Sequence, residues 1–309
     1  MNNNRCNNIK IVTCSILILL MILFVVVYIF SKGNKEIKTT KLTQLKNNTN
    51  RQMMGYIIKT ENDNTVVIDG GTKDDTENLI QWINQQGGEV HSWFITHPHI
   101  DHMGAFLKIV EETEIPINHI YVTLNDLTWY EKNGPTEANE INEVKEFFDV
   151  IQNSRISRAV QEVYLDQNIE IDNLNFEIIG VKNPEIINNG NNNSSMVIKM
   201  HSDTKTVIFL ADTGEESGKK LLENQSDKLK ADIVQMAHHG QNGVTEDVYK
   251  AINPEICLWP TPDWLWNNDS GEGEDSGDWK TKITREWMNK LNVKKNIIGK
   301  DGDQTIELP

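Results

Sequence analysis

The stretch Thr96-His97-Pro98-His99-Ile100-Asp101-His102-Met103-Gly104 constrains this chain more than any other. Four metal-capable side chains fall in the order His-x-His-x-Asp-His. On a regular strand His97 and His99 would share one face and His102 would lie on the other. All four can converge only if the backbone turns sharply. Residues 90–95, apolar except at His91 and Ser92, read as a buried strand, and residues 103–110 read as the start of a helix. The motif is therefore a strand-to-helix loop, where open α/β sheets carry their chemistry. Ligands clustered at this spacing indicate a metal site. His91, His119 and His201 stand alone and read as surface or core histidines.

Cysteine narrows the donor chemistry. Of Cys6, Cys14 and Cys257, only Cys257 falls in the expected folded region, so no intradomain disulfide forms there. A thiolate-rich zinc site is excluded too, and any metal must use histidine and carboxylate. Charge narrows the partners. The first 50 residues hold seven basic side chains and one acid, a net of +6, so the rest carries −21 of the total −15. A domain that acidic does not present a general nucleic-acid-coating surface. A local metal site that accepts one phosphodiester remains compatible with it.

Four regions are expected along the chain. Residues 1–10 form a basic tail and residues 11–30 an apolar run broken only by Thr13, Cys14 and Ser15, long enough for one transmembrane helix that serves as an uncleaved anchor. Five lysines after the run would favour a cytoplasmic domain. The short basic tail before it is the usual start of a signal-anchor. The reading adopted is a single-pass cell-membrane protein with its domain outside the cytoplasm. Residues 31–50, rich in Lys, Thr and Asn, read as a flexible stalk. Residues 51–309 form the globular domain.

Within it, strands are expected over 53–59, 65–68, 90–95 and 119–124, with helices over 75–85, 103–112 and 135–153. Short strands follow from residue 160. An Asn-rich loop over 182–194 precedes strands over 195–200, 206–211 and 232–237. Helices over 246–252 and 279–291 and strands over 256–259, 296–299 and 304–308 complete the chain. This order indicates an α/β fold with helices covering sheet. Four strands run into a metal-capable residue: Asp69, His97, Asp212 and the pair His238-His239.

These motifs resemble the metallo-β-lactamase superfamily of hydrolases. The resemblance implies an αββα four-layer sandwich over residues 51–309. It implies that Asp69, in Asp69-Gly70-Gly71, orients metal ligands. It places His97, His99, Asp101 and His102 in the ligand motif, makes Asp212 a bridge between two metals, and adds His238 or His239, between which the sequence does not choose. Asp101 and Asp69 are the residues assigned to catalysis. The segment Asn192-Asn193-Ser194-Ser195-Met196-Val197-Ile198, with Asp212 and His238-His239-Gly240, looks like the ComEC-type branch. One departure stands out. Most of the superfamily supplies a third histidine to the first metal, and this chain has Asn-Asn-x-Ser in its place. The first metal would then have only His97, His99, Asp212 and solvent.

The resemblance implies two divalent ions, zinc first with manganese as a competitor, and a water activated between them. The expected function is a membrane-anchored metal-dependent hydrolase of a phosphoester or phosphodiester, taking a small or polymeric anionic ester. The alternative is a non-enzymatic, metal-stabilised binding module of an envelope or DNA-uptake assembly. The loop Trp259-Pro260-Thr261-Pro262-Asp263-Trp264-Leu265-Trp266 has two readings: an edge loop packed by its own aromatics, or a wall for a cationic group such as a quaternary ammonium.

Overall fold

In the computed structural model, which describes residues 38–133 and 140–308 together with Met21, the strands assemble into two seven-stranded sheets. The first contains β1 (Thr40–Gln44), β2 (Gly55–Lys59), β3 (Thr65–Asp69), β4 (Val90–Ile95), β5 (Ile117–Val122), β6 (Val160–Glu162) and β14 (Gln304–Leu308), in the order β14-β1-β2-β3-β4-β5-β6. The second contains β7 (Asn168–Ile171), β8 (Leu174–Gly180), β9 (Val197–His201), β10 (Thr206–Phe209), β11 (Ile233–Gln235), β12 (Ile256–Trp259) and β13 (Lys295–Ile298), in the order β13-β12-β11-β10-β9-β8-β7. Each sheet is half antiparallel and half parallel. The parallel pairs run from β3 to β6 in one and from β10 to β13 in the other.

Side-chain alternation along these strands sets the layers. Tyr56, Ile58, Val66, Ile68 and Phe94 face Phe176, Ile198, Met200, Val207 and Phe209 in a core between the sheets. The intervening residues Ile57, Val67, Trp93 and Ile95 turn the other way. They pack against Leu79 and Ile83 of α1 (Thr76–Gln85), Met103 and Phe106 of α2 (Ile100–Glu112), and Phe147 of α4 (Glu140–Asn153). α3 (Leu127–Asn133) precedes α4 in the chain. On the second sheet Val197, Ile208, Val234 and Cys257 pack against Leu221 of α6 (Glu215–Asn224), Val248 of α7 (Glu246–Ile252) and Met288 of α9 (Thr281–Lys290). The short helices α5 (Gly190–Asn193) and α8 (Asp263–Trp266) lie in loops. The layers are helix, sheet, sheet, helix. Each fully buried large apolar side chain in them contributes about 1.5–3 kcal/mol.

Three expectations are corrected. The stalk over 31–50 ends early. Thr40–Gln44 form β1, paired antiparallel with both β2 and β14, and Leu42 and Leu45 are buried. The alternation Leu42-Thr43-Gln44 is short and carries polar residues that are satisfied only inside the sheet, as in the bond between Thr43 Oγ1 and Thr305 Oγ1 at 2.8 Å. The compact unit accordingly starts at Thr39 rather than 51. The helix expected from Met103 begins at Ile100, so Asp101 and His102 lie in its first turn. The loop over 182–194 contains α5. The anchor over 11–30 lies outside the described residues except for Met21. No helix among the described residues is long and apolar enough to cross a membrane. Residues 135–139, expected to open α4, also lie outside the description.

Candidate metal centre

The candidate ligands lie just beyond the carboxyl ends of parallel strands. β3 ends at Asp69, β4 leads to His97, β10 to Asp212, and β11 to His239. The backbone turns there through the left-handed region, with φ of +56° at Asp69, +49° at Ala211, +49° at His238 and +55° at His239. Such conformations cost about 1–3 kcal/mol each in non-glycine residues and persist where the surroundings enforce them. Buried Gln235 supplies part of that enforcement. Its Oε1 accepts from Ala211 N at 2.6 Å, and its Nε2 donates to Ala211 O at 3.2 Å and Met236 O at 2.6 Å. One side chain thus ties the Asp212 turn to the turn that carries His239.

The donors form two groups that share Asp212. Asp101, His102, Asp212 and His239 bring ligand atoms within 4.8 Å of one another, and so do His97, His99 and Asp212. His102 Nε2 lies 3.3 Å and His239 Nε2 3.6 Å from Asp212 Oδ2. His239 Nε2 is 3.0 Å from Asp101 Oδ2. On the other side, His97 Nε2 is 3.9 Å from Asp212 Oδ2 and 3.0 Å from His99 Nδ1. Of His238 and His239, His239 sits in the four-donor group, and His238 Nε2 lies outside it at 3.9 Å from Asp212 Oδ2. His239 Nδ1 faces Pro260 O at 2.9 Å, which turns Nε2 inward. His238 Nε2 faces Asn192 Nδ2 at 3.3 Å, at the rim.

Asp69 acts through His102. Its Oδ2 lies 2.8 Å from His102 Nδ1 and accepts from Thr96 Oγ1 at 2.8 Å, while Oδ1 accepts from Thr96 N at 2.8 Å. A carboxylate on Nδ1 fixes the tautomer that frees Nε2 for a metal. Asp69 is fully buried and positions a ligand rather than touching substrate. Thr96, Gln235, Ser195, Pro260 and Thr261 are the supports that sequence reasoning did not single out. Ser195 Oγ accepts from Asp212 N at 3.3 Å, and Thr261 Oγ1 donates to His239 O at 2.6 Å. Their signal in the sequence is only adjacency to a ligand or to a strand end.

The donor set fits divalent metal. Buried His102 Nε2, His239 Nε2 and Asp212 Oδ1 have no hydrogen-bond partner among the described residues, although carboxylate oxygens lie close. Buried nitrogens that face carboxylates outside hydrogen-bond geometry are satisfied by a shared cation. Electrostatics describe the protein before it binds one. Burial lowers His102, but Asp212, Asp69 and Asp101 outweigh it and hold the imidazole well above its ordinary value. His239 likewise rises to about 9, against burial, through Asp212 and Asp101. Burial and neighbouring His102 and His99 push His97 well down. Burial takes His99 to about 4 despite Asp101 and Asp212. Asp212 stays ionised, since His102, His239 and His238 overcome the desolvation that would raise it.

The comparisons with known proteins agree with this geometry. Residues 51–259 match the Metallo-beta-lactamase superfamily. The chain belongs to that superfamily. It is 26% identical over 183 residues to ComE operon protein 3 of Bacillus subtilis (strain 168), a match covering 58% of this chain and 21% of that protein. The chain therefore spans about a fifth of that relative's length. This likeness agrees with the ComEC-type resemblance. Among solved structures, the superfamily fold is shared with YhfI from Bacillus subtilis at a TM-score of 0.52 and 13% identity, over 87% of this chain and all of that one. CmlA, a diiron β-hydroxylase from Streptomyces venezuelae, aligns at a TM-score of 0.52 and 12% identity, over 88% of this chain and 54% of that one.

The donors open onto a cavity of about 320 Å³, lined by His99, Asp101, Asp212, His238, Asn191 and Asn192 among others. The aromatic loop does not reach it. Trp259 and Trp266 stack edge-to-face, Arg285 lies over the Trp266 ring, and Trp264 packs on Trp279. The edge-loop reading holds for these aromatics, and the loop's contribution to the site is the Pro260–Thr261 support of His239. Met103 N and His102 N both donate to His99 O at 3.0 Å, so these backbone groups are taken up within the chain.

Proposed function

We propose that this member of the superfamily is a metal-dependent hydrolase of a phosphoester or phosphodiester, held at the cell membrane by residues 11–30 with its domain outside the cytoplasm. The observation that carries the reading is the opening of both donor groups onto one cavity. Structural metal sites are closed by protein ligands, whereas catalytic ones keep positions for water and substrate. This also favours an enzyme over the alternative of a metal-stabilised binding module. His97, His99 and Asp212 would hold one ion, and Asp101, His102, Asp212 and His239 the other, with zinc or manganese suited to such donors.

Bound there, two divalent ions supply an activated water and a Lewis acid for the ester. The chain's own groups do the rest. Asp69 and Pro260 O fix the two inward-facing imidazoles, and Ser195 and Gln235 fix the backbone turn that carries Asp212. Hydrolysis forms one bond from water oxygen to phosphorus and breaks the ester bond, and the leaving oxygen takes up a proton.

The purified full-length chain, loaded with zinc or with manganese, is expected to turn over bis(4-nitrophenyl) phosphate. The doubly substituted Asp101→Ala, His102→Ala protein is expected to lose that turnover. Equal rates for the two proteins would sink the hydrolase reading for this substrate class.

A further inference from the structure

The buried polar run Asn191–Ser194 is unequally engaged. Asn193 Oδ1 accepts from Ser217 Oγ at 2.7 Å, and Asn193 Nδ2 donates to Asn188 O at 2.9 Å. Ser194 Oγ accepts from Asn125 Nδ2 at 3.0 Å. Asn192 Nδ2 lies 3.3 Å from His238 Nε2, but Asn192 Oδ1 has no partner among the described residues. Asn191 is engaged at neither end. It is 3% exposed, and both its Nδ2 and its Oδ1 are unpartnered among the described residues. Gln52 Nε2 is unpartnered as well. Asn191, Asn192 and Gln52 line the cavity of about 320 Å³ together with the metal donors His99, Asp101 and Asp212.

A buried amide without partners is destabilising, and an apolar side chain of the same shape would suit the fold at least as well. The bonds of Asn193 and Ser194 nevertheless hold Asn191 at the cavity. A primary amide offers a donor at one end and an acceptor at the other. Both ends of Asn191 are open, so this is true whichever way the amide is turned. A phosphoryl oxygen only accepts. It would satisfy Asn191 Nδ2 and Gln52 Nε2 and leave the Oδ1 atoms of Asn191 and Asn192 bare. A hydroxyl both donates and accepts, and matches this set of groups. We propose that the cavity takes the phosphoester of a polyhydroxylated alcohol. Its phosphoryl group lies at the metal donors, and a hydroxyl of the alcohol bonds the Asn191 and Asn192 amides. This inference rests on the hydrolase reading and names its substrate class.

The test compares 3,4-dihydroxybutylphosphonate with butylphosphonate on the metal-loaded full-length chain, by calorimetric binding. The two carry the same charge, differ only in hydroxyls, and resist hydrolysis at their carbon–phosphorus bonds. The dihydroxy compound should bind about five- to tenfold more tightly. Asn191→Leu removes the amide at similar volume. It should abolish that preference, keep both ions by elemental analysis, and melt no lower than wild type. Equal binding of the two phosphonates by wild type overturns the proposal, as does a preference that survives in Asn191→Leu. Loss of an ion, or melting several degrees lower, in Asn191→Leu also overturns it, because the amide would then serve the metal or the fold. None of these outcomes touches the hydrolase reading. A hydroxyl preference in a wild type that does not turn over bis(4-nitrophenyl) phosphate would instead sink the hydrolase reading for that substrate and leave the ligand assignment standing.

Discussion

At the residue scale, each inward-facing nitrogen depends on a partner at the far side of its ring. Asp69 holds His102 Nδ1 at 2.8 Å, so Asp69→Asn should free the ring to rotate or change tautomer. Metal affinity should fall about 10–100-fold, read by chelator competition, with the fold retained. His239 and His238 are adjacent in sequence but differ in role. His239→Ala should cost one ion per chain by elemental analysis, whereas His238→Ala should keep both. Protonation gives a third test. His239 of the metal-free protein rises from 6.5 to about 9, so between those pH values metal must displace a proton from it. Apparent affinity should therefore climb as pH rises through that window. Calorimetry in buffers of different ionisation enthalpy should register proton release on binding. The same raised value means that the contacts to Asp212 and Asp101 stabilise the metal-free fold fully below 6.5. That stability is lost as pH rises through about 9.

At the element scale, two close approaches fix where the ligand loops sit. A Cβ on Gly104 would lie 2.6 Å from Lys73 N, where the first turns of α2 pass the loop that follows Asp69. Gly240 follows His239 with φ +82°, and a Cβ there would lie 2.5 Å from the Trp259 ring. Backbone at Lys73 cannot yield as a flexible side chain would. Gly104→Ala should therefore destabilise by about 1–3 kcal/mol in denaturant unfolding and loosen the Asp101–His102 turn. The Asn-rich segment is similarly built in. Asn193 Oδ1 accepts from Ser217 Oγ at 2.7 Å, and Ser194 Oγ accepts from Asn183 N at 3.2 Å and Asn125 Nδ2 at 3.0 Å. These contacts hold Asn191 and Asn192 at the cavity.

At the scale of the molecule, β1 closes the first sheet by joining β2 to β14, so the first and last described strands of the unit lie side by side. A chain beginning at Thr39 keeps this strand and one beginning at Arg51 removes it. The shorter chain loses buried Leu42 and Leu45 and exposes the edges of both β2 and β14. It should melt at lower temperature and aggregate on heating, while the chain from Thr39 should melt as the full protein does. Equal melting of the two truncations would show that β1 does not hold the sheet together.

The sequence by itself determined the α/β layering, through continuous apolar strands such as Val66–Ile68, buried on both faces, and the apolar stripe of α4. It also determined the candidate donors, because His97, His99, Asp101 and His102 are local in the chain and Asp69, Asp212 and His238-His239 each close an apolar strand. Tertiary structure alone decided three further matters. It set the two histidines apart, placing His239 in the four-donor group with its Nδ1 on Pro260 O, a carbonyl far along the chain. It revealed Gln235 as the clamp between two ligand turns, a role that no local pattern encodes. It also placed 40–44 in a sheet, because a short polar strand is stabilised by partners at residues 56–59 and 304–308 that only folding brings beside it. Periodicity reports which face of an element is apolar, whereas the direction of a ring nitrogen and the partner of an edge strand are set by groups distant in sequence.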